Sequence, residues 1–135
     1  YYTGRSLIIA FLGAFHGRTY GAMSLTASKV VQRKRFGPLV PGVTHIPYGT
    51  HESLDYLEEK LFPAVLPPQE VAAIVVEPIQ GEGGYIVPEA GFLERVRKVC
   101  DRYNILMVVD EVQSGMGRTG KLFAIEHWDV KPDII

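Results

Sequence analysis

Three short clusters hold the residues best suited to chemistry. They are Phe15-His16-Gly17-Arg18, Glu77-Pro78-Ile79-Gln80-Gly81-Glu82-Gly83-Gly84 and Asp110-Glu111-Val112-Gln113. Each comes after an apolar run: Leu7 to Phe11, Val71 to Val76 (VAAIVV) and Ile105 to Val109 (ILMVV), the second and third directly and the first after Leu12, Gly13 and Ala14. Short unbroken apolar runs of this kind read as strands buried on both faces. In an open parallel sheet, ligands bind beyond the carboxyl ends of the strands, so three polar strand ends would converge on one ligand. An acidic residue ending a single strand could instead be a helix cap or a surface charge. Three such ends weaken that alternative. At single positions the plain alternatives stay open: Phe15 as ordinary core, His16 as a structural hydrogen-bonder and Glu111 as a solvated charge.

Two further motifs do not carry the chemistry they suggest. Gly115-Met116-Gly117-Arg118-Thr119-Gly120 satisfies G-x-G-x-x-G, but a dinucleotide loop should leave its strand at once, open a helix and be followed by an acid about 20 residues later. Here Asp110 to Ser114 intervene, and Glu126, Asp129 and Asp133 come too early. His51-Glu52-Ser53-Leu54-Asp55 begins like the zinc motif H-E-x-x-H but places Asp where the second histidine should be, so no metal is expected.

The elements that must position these clusters follow from periodicity. Gly17 to Ser28 is rich in small residues and reads as helical. The stretch after it, with Pro38, Pro41 and Pro47, reads as irregular. Leu54, Leu57 and Leu61 recur at helical spacing, with Glu52 early and Lys60 late as the helix dipole prefers, and Pro63 should stop the run. Phe92, Val96, Val99 and Tyr103 form one helical stripe, which Asn104 is placed to end. Strand, helix and strand in this order form a βαβ unit with parallel strands and a right-handed crossover, so the class is α/β. Pro132-Asp133-Ile134-Ile135 looks like the first step of another buried strand.

Composition narrows the function. Fourteen basic against fifteen acidic residues leave a net charge of -1, with Arg33-Lys34-Arg35 as the longest cationic cluster, so nucleic acid is not an expected partner. No apolar run approaches the roughly 20 residues that span a bilayer, and no membrane association is expected. The one cysteine, Cys100, lies on the apolar stripe and reads as core packing in a reducing compartment, with cytoplasm as the default location.

The segments AFHGRTYGAMSLT, EPIQGEGGYIVP and DEVQSGMGRTG resemble the class III pyridoxal-phosphate aminotransferases, the group of 4-aminobutyrate, ornithine and acetylornithine aminotransferases. The likeness runs essentially end to end. It implies the large, mostly parallel-sheet domain of fold-type I pyridoxal-phosphate enzymes, with residues 1–135 as its central part, incomplete at both ends. By this resemblance the upstream phosphate-binding loop and the Schiff-base lysine lie outside the chain, the lysine a few residues after Ile135. Lys29, Lys34, Lys60, Lys98, Lys121 and Lys131 are not at that position, so these residues alone should be inactive and, with open sheet edges, prone to associate.

The resemblance also assigns roles. Asp110 would partner the ring nitrogen of pyridoxal phosphate, whose power as an electron sink depends on that nitrogen being protonated. Val112 would press on one face of the ring and Phe15 stack on the other, with His16 beside the cofactor. Gln113 would hydrogen-bond the phenolic oxygen. Glu77 would hold the network from behind, and Glu82 would be a gate carboxylate pairing with an arginine from a later segment. The implied reaction moves an amino group, most simply an ω-amino group, from a small donor to 2-oxoglutarate in a homodimer. A racemase or aminomutase of the same fold, or a non-catalytic interaction module, are the competing readings.

Overall fold

The structure, a computed structural model, describes residues 2–135. Four strands form one fully parallel sheet: β1 (Leu7–Phe11), β2 (Val43–Ile46), β3 (Val71–Val76) and β4 (Leu106–Val109). Their order across the sheet is β2-β1-β3-β4. The chain therefore winds to one side of β1, to β2, and then crosses back to the other side of β1, to β3 and β4 beyond it. This reversal creates a switch point between β1 and β3, where the loops leaving neighbouring strands diverge and open a crevice.

The α/β class, the strands Leu7–Phe11 and Val71–Val76 and the parallel βαβ unit agree with the sequence reading. Helix α4 (Phe92–Tyr103) begins and ends where the apolar stripe does, and Asn104 closes it in the left-handed conformation at φ 53. A side-chain amide tolerates that conformation better than most residues. Phe92, Val96, Val99 and Cys100 on its inner face are buried. At the free edge of β4, Val108 and Ile134 form an isolated parallel bridge, and Val109 donates its amide to Ile134 at 2.9 Å, while Ile134 and Ile135 stay exposed.

Three local expectations need correction. The helix read over 17–28 is confined to α1 (Tyr20–Leu25), because the chain on either side is committed to the site. The proline-rich stretch is not irregular throughout: β2 lies within it, pairing with β1 from Ile8↔Val43 to Phe11↔Ile46. Only four residues long and bounded by Gly42 and Pro47, β2 offers too little pattern to stand out. Pro63 does not stop its helix. Helix α2 (His51–Tyr56) loosens into a π turn (Leu57–Leu61) and then a last turn, α3 (Phe62–Ala64), in which Pro63 occupies an early position that needs no amide hydrogen.

Phe11, Tyr48 and Phe92 meet edge to face, with ring centroids 5.5 to 5.7 Å apart, in a core shared by the sheet, α2 and α4. On the far side from the site, the guanidinium of Arg5 donates to the carbonyls of Val71 (3.0 Å) and Asn104 (2.7 Å), tying the start of β3 to the end of α4. Among the described residues, no helix is long and apolar enough to cross a membrane.

Candidate active site at the carboxyl edge of the sheet

β1, β3 and β4 are adjacent, so the loops leaving them meet. They enclose a cavity of about 110 Å³ lined by Phe15, His16, Gly17, Glu77, Asp110, Val112 and Gln113. Six of the seven site residues expected from the sequence thus line one cavity, although they come from segments up to 98 positions apart. The seventh, Glu82, lies outside that lining and pairs with Lys29, its Oε2 3.1 Å from Nζ.

Asp110 is the centre of the arrangement. It follows β4 directly and donates its own amide to Val76 on β3 at 2.9 Å, which continues the sheet ladder by one residue and fixes its Cα. Oδ1 accepts the amide of Val112 at 3.0 Å, and Oδ2 lies 2.7 Å from Nδ1 of His16. Burial alone would raise the pKa of this carboxyl. The His16 hydrogen bond, the Val112 amide and the positive potential of the imidazole together outweigh it and hold the group below the usual carboxylate range. Asp110 is therefore ionised at neutral pH.

Glu77 behaves in the opposite way. Burial dominates and pushes its carboxyl above the ordinary value, only partly offset by the amides of Phe15 (3.2 Å) and Gly81 (3.4 Å), which its two oxygens accept. The negative charge of Asp110 adds to the rise. Two carboxyls at one crevice thus differ in readiness to ionise, and Glu77 serves as a brace joining the loops after β1 and β3. Tyr48 reinforces it from below, its hydroxyl 3.0 Å from the carbonyl oxygens of Glu77 and Pro78.

The side walls are apolar. Val112 is 89% exposed, which leaves its methyl groups free to contact a flat ligand. Phe15 lies half-buried, with the Arg18 guanidinium 5.7 Å from its ring centroid. Gln113 packs against Gly81 so closely that a Cβ there would sit 1.9 Å from its Oε1.

Sequence reasoning missed two parts of this framework. Gln80 is buried behind the site and donates Nε2 to the carbonyl of Leu12 at 2.9 Å. It fits only because Gly13, at φ +84, lacks a Cβ, which would stand 2.4 Å from Gln80 Oε1. The glycines at 13 and 83 were the available signal. Glu111 is not a solvated charge: it is buried and accepts from Ser114 Oγ (2.6 Å), Ala124 N (3.0 Å) and Ile125 N (2.7 Å). It anchors the 3₁₀ turn at Ala124–His127 beneath the loop that carries Val112 and Gln113. The G-x-G-x-x-G stretch forms turns and does not open a helix, which removes the structural context of a dinucleotide fingerprint.

A carboxylate held ionised beside an aromatic and an aliphatic side chain, at the switch point of a parallel sheet, is suited to a flat ligand that carries positive charge. Comparison with known proteins identifies the family. The class III aminotransferase family model matches residues 1–135, and the chain belongs to that family of pyridoxal-phosphate-dependent enzymes. The ornithine aminotransferase of Toxoplasma gondii is 37% identical over 97% of this chain, with a TM-score of 0.82 and 29% of its own length covered. One structure of that protein is described as having partial occupancy of pyridoxal phosphate at its active site. An (S)-enantioselective omega-transaminase from Thermomicrobium roseum is 32% identical over 96% of this chain, at a TM-score of 0.85 and 32% coverage of its own chain. A transaminase from the marine bacterium Virgibacillus is 36% identical over 95%, at 0.84 and 29%. The chain therefore spans about a third or less of the solved structures it resembles.

The residues present fit pyridoxal phosphate. Asp110 is the only carboxylate lining the cavity whose pKa is lowered, and its side chain keeps 18% of its surface open. Beside it, Nε2 of His16 is buried without a hydrogen-bond partner, so the polar floor is incomplete until a ligand or water is present.

Proposed function

We propose that the protein containing these residues transfers an amino group, best an ω-amino group, from a small donor to 2-oxoglutarate, with pyridoxal phosphate held at the carboxyl edge of β1, β3 and β4. The observation that carries the reading is the ionised Asp110 at the end of β4, held by His16 and Val112. The omega-transaminase and ornithine aminotransferase likenesses support the ω-amino class of donor.

When bound, pyridoxal phosphate supplies an electron sink that is deepest with its ring nitrogen protonated. The chain's own contribution is electrostatic and positional. Asp110 favours the protonated nitrogen by opposing its charge at a partly desolvated place. Phe15 and Val112 would hold the two faces of the ring and Gln113 would meet its phenolic oxygen, while Glu77 keeps the loops after β1 and β3 in register.

Glu82 suits the gate role. Its pairing with Lys29 is exposed on both sides, and such pairs contribute at most about 1 kcal/mol, so the carboxylate can exchange one cationic partner for another. A pocket that alternates between a monocarboxylic amine and a dicarboxylic keto acid needs such a group. The working protein is read as a homodimer, for which the exposed Tyr85, Met116 and Leu122 are available as apolar contact surface. The cytoplasm is its proposed location.

The test is incubation of the full-length protein with an ω-amine, 2-oxoglutarate and pyridoxal phosphate. Glutamate formation is expected. Loss of optical rotation from an amino acid without any glutamate would replace transamination with racemisation.

A further inference from the structure

Lys29 and Glu82 form an ion pair across the edge of the site, with Nζ 3.1 Å from Oε2. The backbone beneath each partner is fixed. On the Lys29 side, the amide of Ala27 donates to Ala14 at 2.8 Å and the amide of Gly13 donates to Ala27 at 3.1 Å, so the chain after α1 runs along the loop that leaves β1. Lys29 then opens a 3₁₀ turn (Val30–Gln32), in which the buried side chain of Gln32 accepts its amide at 3.2 Å. On the Glu82 side, Gln80 and Ile86 form an antiparallel bridge, and Gly81 accepts the amides of Gly84 (3.0 Å) and Tyr85 (3.2 Å), which closes a tight hairpin. Gly83 rests on the loop after β1, where a Cβ would stand 2.7 Å from the Gly13 carbonyl oxygen, and Gly81 lies against Gln113 of the cavity wall. Glu82 is thus held between the cavity wall and Lys29. The freedom left is in the two side chains, 57% exposed for Lys29 and 39% for Glu82.

The charge at this edge depends on the pair. Together the two side chains cancel, whereas Glu82 without Lys29 leaves an uncompensated carboxylate next to the contact between Gly81 and Gln113. A ligand with a carboxylate at each end brings one of them toward the edge of the site, and like charges set together there cost affinity. We propose that Lys29 is a specificity-determining residue: by holding Glu82 aside and cancelling its charge, it lets the site admit a dicarboxylic keto acid, while a monocarboxylic amine binds without its help. Lys29 acts through Glu82 and is in that sense a positioning residue. The inference rests on the aminotransferase reading with Glu82 at the gate and deepens it, since it names the group that holds Glu82 while the dicarboxylic substrate is bound.

The test uses the full-length protein loaded with pyridoxal phosphate and two unreactive ligands, glutarate with a carboxylate at each end and butyrate with one. Dissociation constants are measured by calorimetry for native protein, Lys29→Met, Lys29→Arg, Glu82→Gln and the Lys29→Met/Glu82→Gln double variant. Lys29→Met should weaken glutarate by about 3- to 5-fold, the factor that an exposed ion pair supplies, and leave butyrate unchanged to within about twofold. KM for 2-oxoglutarate should rise by the same factor as the glutarate constant. Lys29→Arg should bind both ligands as native protein does. In the Glu82→Gln background, Lys29→Met should have no further effect on glutarate, because the carboxylate it holds is gone. Equal weakening of both ligands in Lys29→Met, no weakening of glutarate, or no recovery in Lys29→Arg would overturn the proposal. The same loss in the Glu82→Gln background would overturn it as well, making Lys29 a direct contact of the ligand's carboxylate. Glu82→Gln alone separates the two levels of the argument. If it left the glutarate-to-butyrate ratio as in native protein, the gate role would fall and this inference with it; a shifted ratio with no effect of Lys29→Met would keep the gate and remove Lys29 from it. Native protein that binds neither ligand would refute both.

Discussion

Removing the Glu111 carboxylate should loosen the floor of the site without touching any residue that lines the cavity. Glu111 accepts three hydrogen bonds, two from the backbone amides of Ala124 and Ile125 and one from Ser114, and all of these are buried. In Glu111→Ala the Ser114 hydroxyl can turn to another acceptor, but the two amides cannot. Each stranded amide costs about 1 to 3 kcal/mol, and partial relaxation of the turn lowers their sum, so a loss of about 2 to 4 kcal/mol is expected. Glu111→Gln keeps one acceptor oxygen and should lose roughly half as much. Hydrogen–deuterium exchange of the full-length apoprotein reads the effect locally. The amides of residues 124 and 125 should lose protection by about 30- to 1,000-fold in Glu111→Ala, at a factor of ten for every 1.4 kcal/mol. Amides in β1 should be unaffected. If protection at 124 and 125 fell by less than threefold, the carboxylate would not be the anchor of this turn.

Asp110→Asn in the full-length protein should still bind pyridoxal phosphate, more weakly, while turnover falls by on the order of 10²-fold or more, as loss of a preorganised charge implies; near-native turnover would remove the main support for the site. Asp133 offers a pH test. Burial would raise its carboxyl, but the Arg97 guanidinium at 2.7 Å and the Met107 amide at 2.7 Å hold it below the ordinary value. Because the folded pKa is depressed, its stabilisation is present above the unfolded value of about 4 and is lost as pH falls through the folded value. Asp133→Asn should flatten the acid limb of a stability–pH profile, and an unchanged limb would refute the assignment. Cys100 is buried on α4 and its thiol is pushed up to about 12 by burial, so a thiol reagent at pH 8 should label it only as fast as the protein opens. Immediate stoichiometric labelling of native protein would contradict this placement.

The sequence alone determined whatever depends on neighbours along the chain. The apolar runs of β1 and β3, the stripe and asparagine cap of α4, and the placing of polar clusters at strand ends are local patterns. Parallel pairing followed from the length of the connection between β3 and β4. The motif resemblance then named the residues that the fold gathers into one cavity.

Only the tertiary structure decided what depends on contacts between distant segments. β2 is a strand because β1 supplies its hydrogen-bonding edge, and four residues carry no period strong enough to say so. Glu111 and Asp110 are adjacent in sequence and both acidic, yet the chain turns between them. One carboxylate faces the cavity, and the other is buried under three donors, two of them from residues 124 and 125. Gln80 and Arg5 read as ordinary polar residues until folding brings the carbonyls of Leu12, Val71 and Asn104 within reach. The pairing of His16 with Asp110 spans 94 positions, so its geometry exists only once β1, β3 and β4 lie side by side.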